Sequence, residues 1–526
     1  MKHFFTTVLL AAVLPLTLVG CKDDATPAQQ PETPAEETAK TAEEVLSKIP
    51  GVIVIQNTTD AKGVPVTYFY FEQAIDHEDA SAGTFLQYCA LHYKGPDHLT
   101  VLHTQGYSTL EPEDFQQVHL ATNLDANYIE VEHRYYRRSL VNFVAGQTDC
   151  TGDYWKYNTA AQSTADLHAV VTALKATGCF KNKWVSTGNS KNGMLTALYA
   201  YFYPNEMDVY VPFCAPFCVG KESEGVGKWL TQRSGLEDGK NTELRNHIWA
   251  AFRRMANDAS LQNELAALYN LDHHSNYSVK GIMPYLLYTF MENMFYKFSY
   301  FKTSEWDAVI PQPEHSAEIY YRFTMLGRKD FQIHLNELRR LVGLENIEID
   351  SYDDDSEYLV ITDDESSDVL AVGRRVAPQY LELDRLIRDI YFVHAAKELG
   401  YFAYDFSVLP EDHLLSDKSL SWIKSYGDLD KNTSQYGVTF DDGKLMKNFL
   451  EFVRNNRYNN KCKMLFIYGG NDPWSGAALP DPDADDHYVK KHMVPNGLHS
   501  LWINSQSHYP TEEREWIMNA VNEMLQ

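Results

Sequence analysis

The sequence predicts an α/β protein: a mostly parallel sheet whose second part is separated from its first by a large, mainly helical insertion. Three observations carry this. Apolar runs of strand length alternate with helix-length patterns between residues 49 and 220. From 221 to 460 long helical, aromatic-rich stretches replace that rhythm, and strand–turn character returns from 461 to 526. Strands alternating with helices need crossover connections, which build parallel sheets.

Val52 to Tyr93 alternates apolar and polar residues between Gly, Asp and Pro, predicting antiparallel strands or hairpins where the sheet begins. "LTVLHTQGYS" (Leu99–Ser108) is an apolar strand running into a Gly turn, and "ANYIEVEHRYY" (Ala126–Tyr136) is a buried strand with a charged end. "STADLHAVVTALKATG" (Ser163–Gly178) has helical spacing and a glycine where a helix should stop. "KWVST" then reads as a strand, "MLTALYAYFYP" (Met194–Pro204) as a helix and "MDVYVPFCAPF" (Met207–Phe217) as a further strand. Inside the insertion, "MPYLLYTFMENMFYKFSYF" (Met283–Phe301) is a long helix whose aromatic stripe reads as core. "CKMLFIYGGNDPW" and "HYVKKHMVPNGLHSLW" restore strand and turn, and "EEREWIMNAVNEML" closes the chain with a helix.

The ends and the composition set the context. Residues 1–20 read as a targeting segment, with Lys2 and His3 before an apolar run too short and too early for a membrane span. The run ends in Leu18-Val19-Gly20-Cys21, which resembles a bacterial lipobox; there the cysteine is acylated and becomes the mature N-terminus. More than one acyl chain holds a soluble domain to a bilayer where a single chain is marginal. Residues 21–48, rich in Pro, Ala, Thr and Glu, read as a tether whose last third joins a short helix. The expected place is the outer membrane of a Gram-negative bacterium; "KDD" after Cys21 resembles surface-export signals, leaving periplasm and cell surface both open. A chain of 526 residues, 44% hydrophobic, can bury a large core. A net charge of −26 excludes a nucleic-acid partner, since no basic stripe would neutralise phosphates.

Beyond Cys21 six cysteines remain (Cys89, Cys150, Cys179, Cys214, Cys218 and Cys462), permitted to pair in an oxidising compartment, with fifteen pairings open. Cys214 and Cys218 in "PFCAPFC" read as structural, because no second Cys or His pair at zinc spacing accompanies them. The acidic run from Leu344 to Asp368 reads as a solvated loop; it lacks the Gly-centred spacing of a calcium loop. No cofactor and no resident metal are expected.

The chemistry gathers around "WVSTGNSKNGM". A strand, a glycine-flanked serine and a helix make a nucleophile elbow, the strained turn that presents a hydroxyl at the sheet edge of an α/β-hydrolase. Ser190 is the nucleophile on this reading, and the Lys191 N–H opens the helix toward a developing oxyanion. Asn192 stands where the common pattern has glycine, and its tolerance of unusual backbone angles is the expected compensation. A serine needs a base, and in this fold the order is nucleophile, acid, histidine. Asp472, after the strand in "FIYGGNDPW", is the acid, and His499 in "PNGLHSLW" is the base. His487, His492 and His508 fit less well by their surroundings. Gly106 or Tyr107, after an early strand, supplies the second oxyanion donor.

"VEHRYYRRS", "WKYNTAAQSTADLHAVV", "WVSTGNSKNGM", "KELGYFAYD", "YGGNDPWS" and "PNGLHSLW", in that order, resemble secreted bacterial tripeptidyl aminopeptidases, serine peptidases related to prolyl carboxypeptidase and the lysosomal dipeptidyl peptidases. The resemblance implies an α/β-hydrolase core with a helical lid and release of short, often proline-containing peptides from free N-termini. Such an enzyme must hold a substrate ammonium, for which Glu132 and Asp405 are the candidate carboxylates; the alternative roles are an ion pair of Glu132 with Arg134 or a neighbour at the strand end, and a helix-end or surface carboxylate at Asp405. Expected partners are peptide substrates and, through acylated Cys21, the bilayer. A carboxylesterase on the same triad and a non-catalytic peptide-binding lipoprotein are the rival readings.

Overall fold

The structure, a computed structural model, describes residues 39–107, 115–141, 152–232, 239–300, 309–327, 331–343, 390–400, 403–404, 415–426, 434–506 and 509–526. Cys21, Cys150, Asp405, His508 and the acidic run 344–368 lie outside them. Described residues begin in the last third of the expected tether. There Thr41 and Glu44 cap the short helix Ala42–Leu46, which buries Val45 and Leu46 in the core.

Nine strands form one sheet: β1 (Ile53–Thr59), β2 (Pro65–Ala74), β3 (Thr84–His92), β4 (Thr100–Thr104), β5 (Asn127–Val131), β6 (Trp184–Asn189), β7 (Val209–Phe213), β8 (Met464–Gly469) and β9 (Val489–Val494). Their spatial order is β1-β2-β3-β5-β4-β6-β7-β8-β9. The first three pair antiparallel, as the alternating pattern of residues 52–93 predicts, and β3 meets β5 antiparallel. From β5 to β9 every pairing is parallel. Strands β4 to β8 are buried at every position, because helices cover both faces. This is an α/β-hydrolase core, with the reversal between β5, β4 and β6 leaving the strand ends open to a ligand.

Helices Ala160–Ala176 and Lys191–Phe202 share one apolar layer with β6, β8 and the helix Lys444–Asn459. The last of these falls inside the stretch read as insertion, yet Met446, Phe449 and Val453 pack beside Met464 and Phe466 of the sheet. Its one apolar stripe faces the core, so it belongs there physically. The other layer contains the C-terminal helix Thr511–Leu525.

The insertion has a core of its own. Helices Glu224–Gln232, Gly239–Asn257, Ala259–Asp272, Val279–Tyr300, Ala317–Thr324 and Asp417–Tyr426 enclose Ile248, Phe252, Leu265, Leu287 and Phe323. Met283, Leu286, Phe290 and Met291 of the aromatic helix are buried there, as expected of core residues. Trp474 and Ala477, from the loop after β8, also pack into this cluster. The insertion therefore rests on the turn that carries the expected acid.

Candidate active site

Three expected residues stand at the carboxyl ends of parallel strands. Ser190 follows β6 with φ 57° and ψ −122°, a conformation that a side chain strains to adopt. Two glycines make the turn possible. A Cβ on Gly188 would lie 2.6 Å from the Asn192 carbonyl carbon, and one on Gly193 would lie 2.5 Å from the Phe213 carbonyl oxygen. Strand and helix thus cross too closely for any other residue at either place. The Ser190 N–H donates to Phe213 O at 2.9 Å, tying the turn to the end of β7.

Asn192 is not strained; the positive φ belongs to Ser190. The expectation that asparagine stands here for its backbone tolerance is therefore corrected. Its side chain works instead: Oδ1 accepts the Gly106 N–H at 2.7 Å and Nδ2 donates to Gln105 Oε1 at 2.8 Å. Gln105 in turn donates to Glu130 at 3.3 Å. Asn192 clamps the loop after β4 to the elbow. The clamp also separates the two oxyanion candidates, since the Gly106 N–H is committed to Asn192 and cannot serve as a donor. Tyr107 follows it, and its carbonyl accepts the His133 N–H at 3.1 Å.

The Lys191 side chain went unread in the sequence, where only its N–H drew notice. Its Nζ is buried, donates to Gly106 O at 2.6 Å and lies 3.3 Å from the Tyr136 hydroxyl. The rings of Tyr107, Tyr136 and Tyr391 surround it at 5.1, 5.0 and 5.7 Å. Burial holds its ammonium well below the usual lysine range, while the rings offset part of that penalty.

Asp472 ends the strand–turn after β8 and caps the next short turn, with Oδ1 accepting the Trp474 N–H at 3.0 Å. Its other oxygen, Oδ2, is 2.7 Å from His499 Nδ1 and accepts the Ser475 hydroxyl at 3.3 Å. Both partners are buried, at 0% and 3% exposure, so water does not compete for the contact. An Nδ1–H donated to Asp472 leaves Nε2 as the basic nitrogen. The Trp474 ring lies 4.4 Å from the imidazole, centroid to centroid. Gly469 lets the histidine loop approach, since a Cβ there would sit 2.5 Å from both Gly497 O and Leu498 O. The strand end at 213–214 joins the two halves of the site: Phe213 O holds the serine turn, and the Cys214 side chain lies against Asp472 and His499.

The remaining candidates divide. Glu132 is fully buried, and its Oε2 accepts the Arg138 N–H and the Ser139 hydroxyl, both at 2.9 Å. Burial pushes its carboxyl up to about 7 against the pull of Arg138. Of its expected partners, Arg134 instead binds Asp166 at 2.6 and 2.8 Å, and the strand-end neighbours Arg138 and Ser139 are the ones that engage Glu132. A substrate ammonium would have to displace the 137–139 loop to reach Glu132. His492 pairs with Glu513 at 2.5 Å and stacks on Trp516, and His487 is exposed. Cys89, Cys179, Cys214, Cys218 and Cys462 are buried free thiols.

Residues 35–284 match the family model described as PS-10 peptidase S37. The chain is 29% identical over 188 residues to a prolyl tri/tetrapeptidyl aminopeptidase of Streptomyces mobaraensis, covering 35% of this chain and 36% of that one. It is also 29% identical over 181 residues to prolyl carboxy peptidase like protein 5 of Caenorhabditis elegans, covering 33% and 35%. The chain thus aligns with about a third of each curated relative's length. Among solved structures, epoxide hydrolase A of Mycobacterium thermoresistibile aligns at TM-score 0.30 and 11% identity, over 86% of this chain and 98% of that one.

Proposed function

We propose that the protein is a serine exopeptidase that releases short, proline-containing peptides, tripeptides in the first instance, from free N-termini through an acyl-enzyme. The observation that carries the reading is the buried 2.7 Å contact between His499 and Asp472, taken together with a serine held at φ 57° on a two-glycine elbow. The S37 match and the tri/tetrapeptidyl specificity in the Streptomyces relative's name support the peptidase over an esterase.

On this reading Ser190 Oγ attacks the scissile carbonyl while His499 Nε2 takes its proton, and Asp472 steadies the imidazolium that forms. The Lys191 and Tyr107 N–H groups receive the developing oxyanion, and Gly106 serves by its carbonyl, held by the Lys191 ammonium. Collapse of the intermediate returns the proton from His499 to the leaving amine, and water then cleaves the ester. Glu132 holds the 137–139 loop, and Asp405 is left as the candidate for the substrate ammonium. Anchoring through acylated Cys21 to the outer membrane completes the proposal; Cys21→Ala should move the protein to the soluble fraction.

Tripeptidyl fluorophores with free and acetylated N-termini, assayed beside short acyl esters, test the activity. Turnover of the free-amine peptides alone is expected. Turnover of esters alone would make it a carboxylesterase, and no turnover with no labelling by a fluorophosphonate would make it a binder.

A further inference from the structure

Acyl transfer makes no use of Cys214, yet this residue sits behind the histidine–aspartate pair with φ 47°, an unfavourable conformation for a cysteine. Its side chain is fully buried, and its contact with Leu498 O is long, at 3.8 Å. Sγ, a carboxylate oxygen of Asp472 and a ring nitrogen of His499 all lie within 4.8 Å of one another. Burial and the adjacent Asp472 push the thiol pKa up, so the resting side chain is a neutral thiol.

A thiol sulfur, an imidazole nitrogen and a carboxylate oxygen make a mixed donor set. It suits a borderline-soft cation such as Zn²⁺ and is a poor site for Ca²⁺ or Mg²⁺, which take oxygen. Bonds of about 2.0–2.3 Å to a tetrahedral ion put ligands roughly 3.5 Å apart, so small side-chain rotations close this cluster on a metal. Spacing along the chain could not reveal it, because the donors come from residues 214, 472 and 499.

We propose that Cys214, Asp472 and His499 form an inhibitory site for a thiophilic divalent cation. The ion bonds to Sγ, to an Asp472 oxygen and to His499 Nδ1. The thiol proton leaves to solvent, and the Nδ1 proton is replaced by one on Nε2, so one proton is released per ion bound. An imidazole protonated at Nε2 and metallated at Nδ1 has no lone pair for the Ser190 proton. Turnover stops while the substrate pocket stays open. The inhibition rests on the reading of His499 as the base; the binding does not.

Two measurements test this. Rates are recorded against rising Zn²⁺ for the wild type, Cys214→Ala and Cys214→Ser, each normalised to its own metal-free rate. The wild type should lose kcat with KM unchanged and recover on chelation, and both variants should need about tenfold more Zn²⁺ or beyond. Cd²⁺ titration of the wild type should raise a thiolate-to-metal absorption band that either variant lacks, which reads binding whether or not any substrate is turned over. Equal Zn²⁺ sensitivity in wild type and variants, or a cadmium band unchanged by the substitutions, would overturn the proposal. So would a wild type insensitive to Zn²⁺ that gives no cadmium band.

Discussion

At Ser190 the backbone stores strain of about 1–3 kcal/mol, and its neighbours in sequence hold it there by two different devices. Gly188 and Gly193 remove atoms from a crossing that has no room for them. Lys191 and Asn192 add atoms, reaching across to the loop after β4. Asn192→Ala should leave the Gly106 N–H buried without its acceptor, costing about 1–3 kcal/mol in chemical denaturation. Lys191→Met takes the donor from the Gly106 carbonyl, so kcat should fall on the order of 10- to 100-fold at unchanged KM. A Lys191→Met enzyme with wild-type kcat would show that the Gly106 carbonyl needs no strut. Ser190, Asp472 and His499 can be proposed from the sequence because each sits in a local pattern that the chemistry demands. Lys191, Asn192 and Cys214 act through contacts with residues far off in the chain, and no spacing records those.

Among the elements, the parallel strands and the elbow helix follow directly from apolar runs punctuated by glycine, and the sheet carries them close to the expected bounds. Helix Lys444–Asn459 packs on the sheet although its sequence lies in the stretch read as insertion, because an amphipathic helix reads alike whether it covers a sheet or another helix. The insertion's first helix, Glu224–Gln232, touches the acid's turn without side chains between them: a Cβ on Gly225 would lie 2.0 Å from Gly476 O. Gly225→Ala should therefore push this helix off the turn that positions Asp472 and Trp474. The expected result is slower labelling by a fluorophosphonate together with a lowered melting temperature. Unchanged labelling in a destabilised protein would mean that the insertion and the triad are mechanically independent.

Over the whole molecule, two carboxyls, the fully buried Glu132 and the partly buried Glu398, are each pushed up to about 7 by desolvation. Glu398 pairs with His394 at 2.8 Å and also accepts the Ala160 N–H, joining the 390–400 segment to the core. A carboxyl that keeps its proton in the fold, but loses it near 4.5 when unfolded, stabilises the fold fully below that pH. That contribution is lost as pH rises through about 7, because the folded state must then ionise a partly buried group. Glu398→Gln should flatten this part of the stability–pH curve relative to wild type, read by urea denaturation between pH 4 and 8. Parallel curves would contradict the assignment. The proposed acylation of Cys21, by contrast, rests only on a targeting pattern in the sequence, which carries no packing to be read. The most direct test of the central claim is intact-mass and peptide mapping after reaction with a fluorophosphonate, for wild type and His499→Ala. The account predicts a single adduct on Ser190 in the wild type and its near-complete loss in the variant. An adduct on another residue, or equal labelling without the imidazole, would contradict it.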